Sequence, residues 1–203
     1  YERTDDNTWI KNINHEIESH GISVIMPIAE KEITFFIKHA DHISKKAKIM
    51  MLPSNEAFEI ASDKRKLSEF CSLNGIPHPK SSYILNYDQF CNQDFNLRFP
   101  ILLKPLCGKG GDGILRFDQK RKLETFLELQ SNSYGYLLQE FIEGYDIDCS
   151  VLCSNGEVLL YTIQKGFLPG QSIYAPQLGL EFLDNDDFLN VTKQLMKDLN
   201  GSG

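Results

Sequence analysis

The sequence has no long apolar segment, no excess of positive charge and no pairing pattern among its cysteines. None of its apolar runs approaches the roughly 18–20 residues that a membrane-spanning helix needs, so we expect no membrane partner. Its 203 residues carry a net charge of −7. Because surfaces that bind nucleic acid are usually basic, a nucleic-acid partner is disfavoured, whereas a few local cations would suffice for a small anionic ligand.

The five cysteines are an odd number without paired spacing, which predicts buried thiols in a reducing cytoplasm. Cys149 and Cys153 have no histidine close to them in the sequence, so a zinc site is disfavoured. The hydrophobic content of 41% is ordinary for a globular protein of one large or two small domains. The chain begins at Tyr1 rather than at a methionine, and we expect a fragment of a longer protein.

The pattern of helices and strands changes along the chain. Over residues 1–53, isoleucines at helical spacing precede the short run ISVIMPI, which we predict to be a buried strand. A second helix and the strand AKIMML follow, in the order of a parallel βαβ unit. From residue 81 onward, short strands alternate with one amphipathic helix, and Asn155-Gly156 predicts a type I′ hairpin. The sequence therefore predicts α/β structure followed by α+β structure.

The segment FPILLKPLCGKGGDGI, residues 99–114, places an apolar strand and Lys104 beside a glycine-rich loop. A cluster of glycines costs backbone entropy on folding, so it needs a reason. The loop could be a plain hairpin, or its N–H groups could approach the oxygens of an anion. It differs from a P-loop and from a dinucleotide fingerprint, because a strand and not a helix follows it. The glycines of this loop are Gly108, Gly110, Gly111 and Gly113.

Two more segments place charged side chains at the ends of predicted elements. Lys64 lies in the first turn of a helix, where the helix dipole disfavours a cation unless an anion binds nearby. In LLQEFIEGYDID, Phe141 and Ile142 could wall an apolar slot for a purine, and Asp146 could accept hydrogen bonds from ribose hydroxyls. Each of these side chains also has a plain surface interpretation.

Three segments together resemble the ATP-grasp ligases, in the same order and at suitable separations: DKRKLSEFCSLNGIPHP, FPILLKPLCGKGGDGI and YLLQEFIEGYDIDCSVL. The resemblance is closest to the carbamoyl-phosphate synthase-like and carboxylate–amine ligase branch. It implies an ATP-grasp fold over residues 54–203, with a lid subdomain at 81–142 and the start of a core subdomain at 143–203. It also implies that residues 1–53 are part of the Rossmann-like domain that commonly precedes this fold.

At the phosphate end of the ATP site, the resemblance implies two lysines and a lid. Lys64 and Lys104 match the phosphate-contacting lysines, and Lys104 would also touch adenine. The loop from Gly108 to Gly113 would be a mobile lid over the phosphates. Lys165 could contact phosphate or a substrate carboxylate, although a surface role fits this lysine as well.

At the nucleoside end, the resemblance implies a hinge that reads adenine. Glu140, Phe141 and Ile142 would form this hinge, with Glu140 facing the exocyclic amine and the Ile142 N–H donating to the ring. Asp146 matches the ribose-binding acid, a position where family members often have glutamate.

The resemblance implies an enzyme that uses ATP and Mg²⁺ to activate a carboxylate or bicarbonate as an acyl phosphate, which an amine or other nucleophile then attacks. Its partners would be small-molecule carboxylates and amines, and a homodimer is left open. The family holds Mg²⁺ with an acid and a Glu-x-Asn pair on C-terminal strands, so we expect the metal ligands and these strands to lie beyond Gly203. The alternatives are a nucleotide-binding module without ligase activity and a structural domain in which the glycines form only a hairpin.

Overall fold

The computed structural model of the protein describes residues 5–108, 110–130, 135–168, 170 and 177–201. Contacts divide the chain into two units, and each is described by itself. The first comprises Tyr1–Phe58, Leu152–Leu160 and Met196–Gly203, and the second comprises Glu59–Val151 and Tyr161–Leu195. Among the described residues, no helix has the length and apolar character needed to cross a bilayer.

The first unit begins with the predicted alternation of helix and strand. Its elements are α1 (Asp6–His20), β1 (Val24–Ile25), α2 (Glu30–His39) with a 3₁₀ turn after it, and β2 (Lys48–Ile49). The two strands pair in parallel, as predicted. The isoleucine face of α1 packs against α2, in a core formed by Ile17, Phe35, Phe36, Ile43 and Ala47.

The prediction that ISVIMPI is buried was wrong. Val24 is 53% exposed and Met26 is 70% exposed. In the described part of the chain, β1 and β2 form a sheet of two strands, and the Val24 side chain is exposed on it. An apolar run indicated a strand correctly, but it did not show which of its faces would be covered.

Two short helices precede the larger sheet: α3 (Asn55–Ser62) and α4 (Lys64–Leu73). The Asp63 carboxylate accepts hydrogen bonds from the backbone N–H groups of Arg65 (2.8 Å) and Lys66 (3.1 Å), which fixes the start of α4. This cap places Lys64 at the first helical position.

Four antiparallel strands form the sheet that carries the candidate site. In spatial order they are β3 (Ser81–Ile84), β6 (Tyr136–Glu140), β4 (Ile101–Pro105) and β5 (Leu115–Phe117). Helices α5 (Tyr87–Asn92) and α6 (Lys120–Leu129) pack on one face of this sheet. The side chains that form this core are Ile84, Ile101, Leu103 and Leu138 from the strands and Phe90, Leu123 and Leu127 from the helices.

The other face of the four-stranded sheet carries the alternate residues of the same strands. Leu102 and Lys104 of β4 lie on this face, and Gln139 of β6 pairs directly with Leu102. The period-two pattern therefore separates an apolar core face from a face with a lysine and a glutamine.

A second sheet follows, with the strand order β7 (Ile147–Ser154), β8 (Glu157–Leu168) and β9 (Gly179–Phe182), and α7 (Asp186–Leu199) follows the sheet. The turn between β7 and β8 has positive φ at both central residues, Asn155 (51°) and Gly156 (79°). These values confirm the predicted type I′ hairpin.

The five cysteines are all free thiols. Cys71 and Cys153 are buried, as predicted, but Cys91 and Cys107 are exposed. The prediction of buried thiols was wrong for these two because Cys91 lies on the solvent side of α5 and Cys107 lies in the loop after β4.

Candidate functional site

A cavity of about 820 Å³ lies over the sheet face that carries Lys104. Its volume is within the range of about 300–1,000 Å³ that is typical of small-molecule sites. The predicted site residues that line it are Lys104, Gly111, Glu140, Phe141, Ile142 and Asp146. Other lining residues are Pro79, Leu102, Ile114, Arg116, Gln139, Glu143, Gly144, Tyr145, Gly166 and Gln177.

Lys104 is the half-buried cation of this cavity. Its Nζ donates a hydrogen bond of 2.5 Å to Oε1 of Gln139. Burial lowers the pKa of Lys104, and the positive charge of Lys64 lowers it further. An anion bound in the cavity would relieve both effects, because it would compensate the desolvation of the ammonium and offset the neighbouring cation.

The glycine loop adopts a conformation that other residues disfavour. The φ angles are 118° at Gly108, 66° at Gly110, 79° at Gly111 and 72° at Gly113, all of them in the region that favours glycine. A Cβ on Gly113 would lie 2.9 Å from Cγ of Pro105, so both the backbone angle and the available space require glycine there. Of these four glycines, Gly111 lines the cavity.

Lys64 lies at the base of the glycine loop and is not a lining residue of the cavity. Its backbone N–H donates to the Leu106 carbonyl (3.1 Å), and its Nζ donates to the Gly108 carbonyl (3.1 Å). The side chain therefore connects the start of α4 to the loop. A phosphate contact by Lys64 remains a prediction.

The hinge after β6 has two of its polar groups in hydrogen bonds within the protein, and its contacts to adenine remain a prediction. Oε1 of Glu140 accepts a hydrogen bond of 2.8 Å from the backbone N–H of Arg98. The Phe141 N–H donates to the Pro100 carbonyl (3.0 Å), and Pro100 has no N–H to return the bond, so the strand pairing ends here. In the part of the chain that the structure describes, the Ile142 N–H has no hydrogen-bond partner. A base edge would thus find a free backbone donor, while one Glu140 oxygen is already engaged.

Arg116 is a cation of the cavity that the sequence analysis did not identify. Its Cζ lies 4.2 Å from the centroid of the Phe141 ring, which is a cation–π contact. Its Nε also donates to Oδ1 of Asp118 at 3.1 Å. The only sequence signal was an arginine in the strand after the glycine loop, because its aromatic partner lies on another segment.

Asp146 directly precedes β7, and Lys165 lies on the neighbouring strand β8. Their side chains have different surroundings. Asp146 is exposed and lines the cavity, and its backbone carbonyl accepts from the Gly166 N–H at 3.3 Å. Nζ of Lys165 lies 4.0 Å from the centroid of the Tyr145 ring. Tyr145 lines the cavity, whereas Lys165 is not a lining residue.

Across the described ranges, no group of three or more His, Cys, Asp or Glu side chains is placed to hold a metal ion. Mg²⁺ prefers an octahedral set of oxygens and usually takes several of them from water and substrate phosphates. The described residues by themselves do not form such a set, and none of them is assigned to Mg²⁺.

Comparison with protein families and with curated proteins identifies relatives over most of the chain. The ATP-grasp domain model matches residues 61–199. Carbamoyl-phosphate synthase of Methanobrevibacter smithii is 28% identical over 196 residues, which cover 91% of this chain and 52% of the relative. Formate-dependent phosphoribosylglycinamide formyltransferase of Prochlorococcus marinus is 27% identical over 167 residues, which cover 75% of this chain and 42% of the relative. The chain spans about half the length of these curated relatives.

Solved structures show the same fold. A biotin carboxylase–β,γ-ATP complex from Campylobacter jejuni matches 96% of this chain and 47% of its own, with a TM-score of 0.68 and 18% identity. The VanG D-Ala:D-Ser ligase from Enterococcus faecalis matches 89% of this chain and 57% of its own, with a TM-score of 0.67 and 17% identity. These likenesses confirm the predicted ATP-grasp fold. The assignment of residues 1–53 to a Rossmann-like preceding domain remains a prediction.

Proposed function

The chain belongs to the ATP-grasp family, and on that premise we propose that it is the nucleotide-binding part of an ATP-dependent carboxylate–amine ligase. In the proposed reaction, a carboxylate or bicarbonate oxygen attacks the γ-phosphorus of ATP, and ADP leaves. The product is an acyl phosphate. An amine then attacks the acyl carbon, inorganic phosphate leaves, and a C–N bond forms.

One observation carries this proposal: a half-buried ammonium, a free backbone donor and an exposed carboxylate lie around one cavity. Lys104 would meet phosphate oxygens, the Ile142 N–H would meet the base, and Asp146 would accept from the ribose hydroxyls. These three groups are the kinds of contact that the three parts of a nucleotide require.

Catalysis of phosphoryl transfer depends mainly on positioning and on electrostatic stabilisation of the transferred charge. Lys104 supplies a positive charge in a cavity that is partly shielded from water, where it is worth more than at an exposed position. Lys64 at the base of the loop and Arg116 on the cavity wall add positive potential near the same place. No nucleophilic side chain is required in this scheme, and we assign none.

The substrates follow from the reaction class. We propose a small-molecule carboxylate and an amine, with Mg²⁺ bound through the ATP phosphates and through ligands outside the described residues. The cysteines, which are all free thiols, support a reducing, cytoplasmic location.

The experiment that tests the proposal follows thermal and chemical unfolding of the protein during titration with ADP. ADP at one hundred times its Kd should raise the free energy of unfolding by about 2.7 kcal/mol. We expect Lys104→Ala to abolish this increase and Asp146→Ala to weaken it. The matched controls, Lys193→Ala and Asp94→Ala, remove exposed charges outside the cavity and should leave it unchanged.

The outcomes separate the three interpretations of the chain. An ADP response that depends on Lys104, together with carboxylate-dependent release of phosphate from ATP, supports the ligase. Binding without such release supports the nucleotide-binding module. A folded protein that does not respond to ADP or ATP contradicts both and favours the structural domain.

A further inference from the structure

Lys104 and Gln139 form a pair across two neighbouring strands. In the register of β4 and β6, Gln139 lies opposite Leu102, and Lys104 lies opposite Leu137. Lys104 and Gln139 are therefore diagonal neighbours on one sheet face, within reach of long side chains. The bond between Nζ and Oε1, at 2.5 Å, joins two residues that both line the cavity.

The chemistry of the two groups fixes the orientation of the amide. An ammonium has three donors and no acceptor, so Gln139 must present its oxygen to Lys104 and direct its NH₂ group elsewhere. The lysine side chain has four rotatable bonds, and holding its end in one place costs side-chain entropy. A fixed acceptor removes part of that cost before any ligand arrives, which is the general benefit of preorganisation.

We propose that Gln139 is a positioning residue for the nucleotide site, holding the Lys104 ammonium over the cavity without neutralising its charge. This inference rests on the proposed function. A carboxylate at the same place would orient the ammonium equally well, but it would also compensate the charge that a phosphate must meet. The neutral amide can orient the Lys104 ammonium without compensating its positive charge.

The other charged groups around the cavity leave this role to Gln139. Within the described residues, no carboxylate forms an ion pair with Lys104. Glu140 accepts from the Arg98 N–H, and Glu143 and Asp146 line the cavity as exposed acids. The neighbouring cation Lys64 repels the ammonium rather than holds it.

The first arm of the test measures ADP affinity in two variants. Gln139→Leu removes the acceptor, and Gln139→Glu replaces it with a charged one. We expect each variant to raise the Kd for ADP about tenfold. In Gln139→Leu the Lys104 ammonium loses its fixed position, and in Gln139→Glu the new carboxylate compensates the positive charge that a phosphate would otherwise meet. Gln119→Leu, which changes an exposed glutamine outside the cavity, is the matched control.

A double-mutant cycle separates positioning from a general structural effect. In the Lys104→Met background, titrated to ADP concentrations that saturate the weakened site, Gln139→Leu should change the Kd for ADP by less than about twofold, because no ammonium is left to orient. An equal loss of affinity with and without Lys104 would overturn the proposal.

The second arm needs no nucleotide. NMR of the side-chain carbons of ¹³C-labelled lysine measures the titration of Lys104. The signal that is missing from the spectrum of the Lys104→Met variant is assigned to Lys104. Gln139→Leu should lower the pKa of Lys104 further and Gln139→Glu should raise it. If both variants leave this titration unchanged, the pairing is wrong whether or not ADP binds. Failure of the wild-type protein to bind ADP would overturn the proposed function instead, and the NMR titration would still decide the pairing.

Discussion

Lys104 is half-buried on a sheet face, and its one hydrogen-bond partner among the described residues is a neutral amide. An ammonium in such a place has lost water without gaining an opposite charge, which is why its pKa is lowered. A residue of this kind destabilises the ligand-free protein and favours an anionic ligand. Stability and proposed function therefore have opposite requirements at this position.

The double variant Lys104→Met/Gln139→Leu should make this conflict measurable. Replacing both partners with apolar side chains of similar size removes a desolvated charge and leaves no unpaired acceptor. We expect the ligand-free protein to gain on the order of 1 kcal/mol in free energy of unfolding at pH 7, and to bind ADP much more weakly than the wild-type protein. Denaturant unfolding and ADP titration measure the two effects.

The gain should depend on pH with a defined sign. Because the folded pKa of Lys104 lies below its ordinary value of 10.5, the unfolded state binds more protons between the two values. The stability of the wild-type protein, relative to the double variant, should therefore rise with pH across that window, and the gain should shrink. Lys193→Met is the control for the titration of an exposed lysine. A gain that is constant up to pH 10.5 would contradict the assignment of the effect to Lys104.

Some residues of the candidate site could be predicted from the sequence, but their partners could not. Lys104 was identifiable because it follows an apolar strand and precedes a glycine loop. Its partner Gln139 was not identified, because the pairing depends on the register of two strands and a neutral amide carries no signal of its own. Glu140 was predicted to face the exocyclic amine of adenine, and this contact stays a prediction; the hydrogen bond from the Arg98 N–H to one of its oxygens could not be predicted, because it joins distant segments.

At the scale of elements, residues with positive φ form two turns, the glycine loop and the hairpin between β7 and β8. The glycine loop uses four of them, and the hairpin between β7 and β8 uses Asn155 and Gly156. Both turns were predicted, because the residues that tolerate positive φ are few and local. The exposure of β1 was not predicted, because burial depends on what packs against a strand and not on the strand itself.

Gly156→Ala should destabilise the protein through the hairpin. The φ of Gly156 is 79°, and a Cβ there would lie 3.0 Å from Cα of Lys197, which is a backbone atom that cannot rotate away. We expect a loss of about 2–3 kcal/mol in free energy of unfolding, from the left-handed backbone and the contact together. Urea denaturation measures it.

Gly144→Ala is the matched control for this prediction. Nothing lies within 4 Å of a Cβ at Gly144, and its φ is not in the positive region. Its free energy of unfolding should stay within about 0.5 kcal/mol of the wild-type value. If both alanine variants unfold at the same urea concentration, the crowding at Gly156 does not limit stability.

At the scale of the whole molecule, a net charge of −7 coexists with a cavity that has Lys104, Arg116 and Lys64 among the cations in or near it. The overall charge disfavoured a nucleic-acid surface, but it gave no information about the positive charges that lie close together near this cavity. The order of three motifs predicted the ATP-grasp fold, because each motif belongs to a different element of one site. The contacts among those elements required the structure.

Amide hydrogen exchange measured with and without ADP should locate the site within the whole molecule. Binding suppresses local opening where the ligand makes contacts, so exchange should slow in peptides that cover residues 101–117 and 136–147. Peptides from residues 6–49 should exchange at the same rate in both states, and Lys104→Ala should remove the effect of ADP everywhere. Protection that appears mainly in residues 6–49 would place the nucleotide elsewhere and contradict the proposed site.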